Sequence, residues 1–211
     1  MADSNSAFGP RSSQDLLQLL REQPLAWLVS GAGADFRATL LPVLPLVAED
    51  GRVTGLMGHF ARSNPHVSLL RRDGRAAILM LGPQGYISPS WMRDRSQAPT
   101  WNYASAQCLV DVEFRDDAES LAAHLQELVA AMEAGRPQSW AIPEMGARYA
   151  QLSKRIVGFV AQLREVREKY KLGQDERDDV FADIVAALAA DSRSALPDWM
   201  LRFNPGRPVS R

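Results

Sequence analysis

Apolar positions recur along this chain with two periods, and the switches between them divide it into elements. Residues 25–30 are a short apolar run rich in strand formers, and an extended pattern resumes over 36–47 after the turn material GAGAD at 31–35. Pro42 and Pro45 inside that second run predict a strand that is irregular or lies at a sheet edge, because proline cannot donate to a ladder. Asp50-Gly51 signals a hairpin into a strand over 52–57. RAAILML at 75–81 reads as a buried strand, continued at 86–88 after a Gly82-Pro83 corner. The cleanest alternation runs over 104–114. There Ala106, Cys108, Val110, Val112 and Phe114 share one face, and Gln107, Asp111 and Glu113 the other. Residues 156–166 form a further strand whose phase slips near Arg164 and Glu165, which predicts a bulge.

The helical period appears between these runs. Ser13 caps a helix through Leu16, Leu17, Leu19 and Leu20 that Pro24 stops. Asn64 as N-cap and Pro65 at the first position open a short helix through Val67, Leu69 and Leu70. An amphipathic helix spans 118–134, a second over 142–154 is introduced by Pro143, and a last one starts near 175 and carries Val180 to Leu188. The expected organisation is a flexible arm at 1–13 and a single domain at 14–190, with a helical insertion at 116–154 and a C-terminal helix at 175–190. A docked or mobile tail follows at 191–211. Strands joined by short turns favour an α+β, mostly β protein built on an antiparallel sheet closed or half-closed into a barrel.

Composition narrows the class. The chain has 211 residues, 46% hydrophobic and 23% charged, enough for one packed domain. A formal net charge of -1 leaves no basic footprint, so autonomous DNA binding is not expected. Cys108, the only cysteine, lies in an apolar register and reads as a buried thiol in a reducing compartment. The N-terminal residues lack an apolar signal core and no run is long enough for a bilayer, so the expectation is a cytoplasmic protein with no membrane contact. No histidine pair has metal-ligand spacing, and no nucleophile–base set identifies a catalytic residue.

Candidate chemistry is concentrated in GHFARSNP (58–65), GPQGYISPSW (82–91) and PTWNY (99–103). Arg62 offers a fork of donors suited to phosphate, two residues before a helix N-terminus whose N–H groups lack partners. His59 either bonds a ligand at a barrel rim or is a structural histidine; His66 and His124 read as surface or partly buried helical residues. Pro89 holds the Ser88 and Ser90 hydroxyls in place. Trp91 and Trp101 either cover a flat ring or pack at an interface, and Thr100 and Asn102 suit the polar edge of a pyrimidine-like ring. Lys169 and Lys171 alternate in an extended segment, so their side chains share a face and read as solvated charges.

These runs, with IVGF (156–159) and KYKLGQ (169–174), make the chain resemble the FMN-binding negative transcriptional regulators of the PaiB type. The resemblance covers roughly residues 16–188. It departs from the family pattern at Leu40 for His, Val67 for Trp, Met92 for Tyr, and Gly173 and Asp175 for Ser and Asn. The resemblance implies a split β-barrel of the pyridoxamine-phosphate-oxidase type, a homodimer, and FMN as cofactor. It implies a cofactor site drawn from His59, Ala61, Arg62, Asn64, Ser88, Ser90, Trp91, Thr100, Trp101, Asn102 and Lys171. Two functions follow as expectations: a flavin-dependent oxidoreductase or redox sensor, and a transcriptional regulator or partner-binding protein in which flavin is structural or absent. Haem or pyridoxal phosphate in the same barrel stays open as a third.

Overall fold

A computed structural model describes residues 7–190, 192 and 194–207. In chain order the elements are α1 (Gln14–Glu22), β1 (Leu25–Ser30), β2 (Arg37–Val47), β3 (Val53–Ala61), α2 (Pro65–Arg72), β4 (Arg75–Ile87) and β5 (Thr100–Arg115). There follow α3 (Ala118–Glu133), α4 (Arg148–Leu152), β6 (Ile156–Lys171), α5 (Asp178–Ala189) and α6 (Leu196–Phe203). The six strands close into an antiparallel barrel in the order β1-β2-β3-β6-β5-β4, the fold class read from the sequence. Among the described residues no helix is long and apolar enough to cross a membrane.

The chain forms two compact units. One comprises residues 20–80 and 107–166. Its core is the barrel-facing half of each strand, with Leu28, Val43, Leu56, Ile78, Cys108 and Val157 all buried. Phe60 stands among them, its ring centroid 5.3 Å from that of Phe159 and 5.7 Å from that of His66. Gly58 lies opposite Phe159 in the β3–β6 ladder, where a Cβ would come within 2.7 Å of the Phe159 ring. The glycine is therefore a packing requirement of the aromatic core.

One alternative is decided in this unit and two expectations need correction. β2 is no edge strand: Pro42 lies opposite Leu25 of β1, and Pro45 opposite Leu56 of β3. Barrel closure gives it neighbours on both sides, so each proline removes one donor from one ladder while the strand stays paired; its irregularity is a register shift between Leu46 and Val47. β3 does not stop at 57 but runs on to Ala61, which places His59 within the strand. The helix expected over 142–154 is broken into a 3-10 turn at Ile142–Met145, α4, and a second 3-10 turn at Ser153–Arg155. The cause is Gly146, whose φ of 54° lies outside the right-handed helical region.

The other unit comprises residues 1–19, 81–106 and 167–211, of which 1–6, 191, 193 and 208–211 lie outside the described residues. Its centre is an aromatic stack: Tyr170 packs on Phe203 at 4.6 Å and on Trp199 at 5.9 Å between centroids. Trp199 and Phe203 belong to α6, a helix in the stretch read as tail. Asn204 closes that helix by donating to the carbonyls of Met200, 2.8 Å, and Leu172, 3.0 Å. Within the stretch read as an arm, the Phe8 carbonyl accepts the Tyr170 N–H at 2.8 Å.

Candidate functional site

The corner between β3 and α2 carries the first group of site residues. β3 ends at Ala61, and the Arg62 N–H donates to the Arg155 carbonyl at 2.8 Å, which fixes the backbone where the chain turns. Asn64 then caps α2: its Oδ1 accepts the His66 N–H at 2.9 Å, and its Nδ2 donates to Thr39 Oγ1 at 3.3 Å. Pro65 at the first helical position needs no N–H partner. The His66 ring is buried, not superficial. Its Nε2 and Nδ1 each lie 2.8 Å from a hydroxyl, Ser30 and Thr39 respectively. Burial, and then the charge of Arg37, hold its pKa below the ordinary value of 6.5.

Arg62 projects to a half-exposed position and donates from Nη1 to Asp116 Oδ1 at 3.0 Å. Arg71 from α2 takes both oxygens of the same carboxylate, at 2.8 and 2.7 Å, with its guanidinium over the Phe114 ring. Hydrogen bonds from Arg71, then from Arg62, lower the Asp116 pKa. A cavity of about 290 Å³ opens here, lined by Arg62, Asp116, Tyr149, Ser153 and Lys154 among others. Arg62 and Arg71 both pair with this one carboxylate, and Lys154 lines the same cavity, so cations outnumber it here. Exposed ion pairs are individually weak, so an arriving anion can take donors from Asp116 without a large loss. The corner thus fits a phosphate-bearing ligand, with guanidinium and ammonium groups for charge and a hydroxyl for a further hydrogen bond.

A second arrangement was hidden by sequence distance. His59 Nδ1 lies 3.2 Å from Nε2 of His124 on α3, the rings edge to face. His124 is buried, and among the described residues its Nδ1 has no hydrogen-bond partner. Burial, then the His59 ring, push its pKa down to about 4; burial likewise lowers that of His59. Both rings are therefore neutral at pH 7, and His59 is tied to a protein partner.

The remaining sequence candidates lie in the unit of residues 1–19, 81–106 and 167–211. Ser88 Oγ and Ser90 Oγ are 2.8 Å apart across the turn that Pro89 begins, and Ser88 also accepts the Ser90 N–H at 3.2 Å. Lys171 Nζ donates to Thr100 Oγ1 at 2.5 Å and to the Trp101 carbonyl at 3.2 Å, so Lys171 and Thr100 do come together. Trp91 and Trp101 are exposed, and Trp101 meets Tyr86 edge to face. Asn102 is 1% exposed and donates toward Met200 Sδ at 3.6 Å, so its amide faces the interior. Asp116, Arg71 and Lys154 were not singled out by sequence, because no periodicity or motif joins them to Arg62.

Residues 4–165 match the family model described as "Putative FMN-binding domain". The chain is 26% identical over 134 residues to the protease synthase and sporulation protein PAI 2 of Bacillus subtilis, covering 63% of this chain and 64% of that protein's length. Among solved structures, the FAD and heme binding protein of Mycobacterium smegmatis is similar at a TM-score of 0.57 and 17% identity, over 82% of this chain and 78% of that one. The flavocytochrome Anf3 of Azotobacter vinelandii is similar at 0.55 and 14%, over 78% and 68% respectively. These two likenesses concern the barrel fold.

Proposed function

The chain belongs to this FMN-binding domain family, and from that membership we propose that it binds FMN with the phosphate at the β3–α2 corner. The observation that carries the reading is the cavity lined by Arg62, Lys154 and Ser153. Arg62 and Lys154 supply charge-assisted hydrogen bonds to phosphate oxygens, and Asn64 holds the turn that aims Arg62. Ala61 contributes backbone only, at the exposed end of β3. In the other unit Ser88, Ser90, Thr100 and Lys171 carry hydroxyls and charge, and Trp91 and Trp101 offer flat apolar faces. When bound, the flavin ring would supply electron transfer, as an oxidoreductase or a redox sensor; the residues' part is to bind, orient and exclude water.

We also propose a homodimer. Leu40, Trp27 and Leu79 lie side by side across β2, β1 and β4, and are 45%, 48% and 38% exposed. A contiguous apolar row of this kind on a barrel exterior suits a self-complementary interface. Titration of the purified protein with FMN and with riboflavin tests the cofactor reading. FMN should bind more tightly by at least tenfold, the value of roughly one charge-assisted contact. A protein that ignores both would favour the regulator or partner-binding reading.

A further inference from the structure

The cavity at Arg62 and Lys154 has a neighbour: Tyr149 and Ser153 line both. The second cavity measures about 280 Å³. Its walls are almost wholly apolar, built by Leu125 and Val129 of α3 together with Trp140, Ile142 and Leu152. Trp140 and Leu152 are 39% and 38% exposed, large apolar surfaces that a folded unit ordinarily covers. Arg155 also lines the cavity, and among the described residues its guanidinium meets no carboxylate. A ligand reaching in from the phosphate corner therefore passes two hydroxyl-bearing residues, then aromatic and aliphatic walls with one further cation.

We propose that this second cavity receives the adenine end of a flavin dinucleotide, so that the chain binds FAD more tightly than FMN. The proposal rests on the reading that Arg62 and Lys154 take the flavin phosphate. Three features of the ligand match this cavity. Adenine is flat and uncharged, and its faces stack on indole and phenol rings such as Trp140 and Tyr149. The second phosphate of a dinucleotide adds negative charge where Lys154 and Arg155 stand. The cavity is smaller than sites that enclose a whole drug-sized ligand, about 300–1,000 Å³, and suits one ring system at the end of a longer molecule.

Calorimetric titration of the full chain with FMN and FAD tests this. FAD should bind about tenfold more tightly, the increment of one stacked base. Trp140→Ala removes the stacking face and Leu125→Trp fills the cavity. Each should bring FAD down to the FMN value while leaving FMN affinity unchanged, and that unchanged affinity reports an intact fold. Equal affinities of the wild-type chain for FMN and FAD would overturn the dinucleotide proposal and leave the FMN reading standing. Equal losses of FMN and FAD in both variants would also overturn it, assigning the cavity to packing. Absence of binding by either flavin would overturn both readings together.

Discussion

His59 Nδ1 and His124 Nε2 lie 3.2 Å apart, so two imidazoles 65 residues distant share a single hydrogen bond. One ring must donate and the other accept, so one of the two facing nitrogens carries a proton and the other offers its lone pair. Burial makes the neutral pair the stable one, and protonating either ring would place a charge beside its partner in a poorly hydrated site.

This pairing predicts acid sensitivity with a defined sign. Unfolded, each histidine titrates near 6.5; folded, His124 titrates near 4 and His59 below its ordinary value. Above pH 6.5 both states are neutral and stability does not depend on these groups. Between 6.5 and about 4 the unfolded chain binds the extra proton, so stability falls as pH falls. The slope has a ceiling of about 1.4 kcal/mol per pH unit per histidine, which residual hydration lowers. Denaturant melts at intervals from pH 7.5 to 4 should show this decline, and His124→Gln should flatten it. An unchanged slope in the variant would place the acid sensitivity elsewhere.

Arg62→Ala should weaken FMN about 10- to 150-fold, the range of one charge-assisted contact of about 1.5–3 kcal/mol, and leave riboflavin almost unmoved. Riboflavin differs from FMN only by the phosphate, so the comparison isolates that contact. Arg62→Lys should recover part of the loss, keeping the charge without the fork. Flavin fluorescence titration of wild type and both variants measures all six affinities. Parallel losses for FMN and riboflavin would mean that the Arg62 side chain supports the fold through its bond to Asp116.

Trp27→Glu should yield a monomer by light scattering at micromolar concentration. The glutamate would set a charge between Leu40 and Leu79, in the middle of the exposed row. Thermal stability of the monomer should change little, because Trp27 is 48% exposed in the single chain. A wild-type protein that is already monomeric at that concentration would refute the interface.

Much of the barrel was legible because its signals are local. β1 fell at 25–30 as read, and β5 follows the alternation of Ala106, Cys108, Val110 and Val112. Asn64 and Pro65 state the start of α2 outright. Other features failed for physical reasons. Leu196, Trp199, Met200 and Phe203 have the i, i+3, i+4, i+7 spacing of a buried helix face, but flanking Ser, Pro and Arg residues gave the stretch the composition of a tail. The site shows the same division. Arg62 and Asn64 could be read from a motif, whereas Asp116, Lys154 and the His124 partner of His59 arrive through tertiary packing that no spacing encodes.

Asp116 supplies the sharpest test of the phosphate corner, because it now occupies the donors a phosphate would use. Its carboxylate takes one bond from Arg62 and two from Arg71, and all three side chains are about half exposed. Asp116→Asn removes the competing negative charge and frees the Arg62 and Arg71 donors that it holds. FMN should then bind more tightly, by roughly two- to fivefold, the scale of one surface ion pair. The gain should shrink as salt rises, since exposed charges are screened over about 8–10 Å at physiological ionic strength. Riboflavin should respond to neither the substitution nor the salt. Titrations of FMN and riboflavin at two ionic strengths, with wild type and variant side by side, read every term. A weaker FMN affinity in Asp116→Asn would mean that the carboxylate orients Arg62 for the phosphate and does not compete with it.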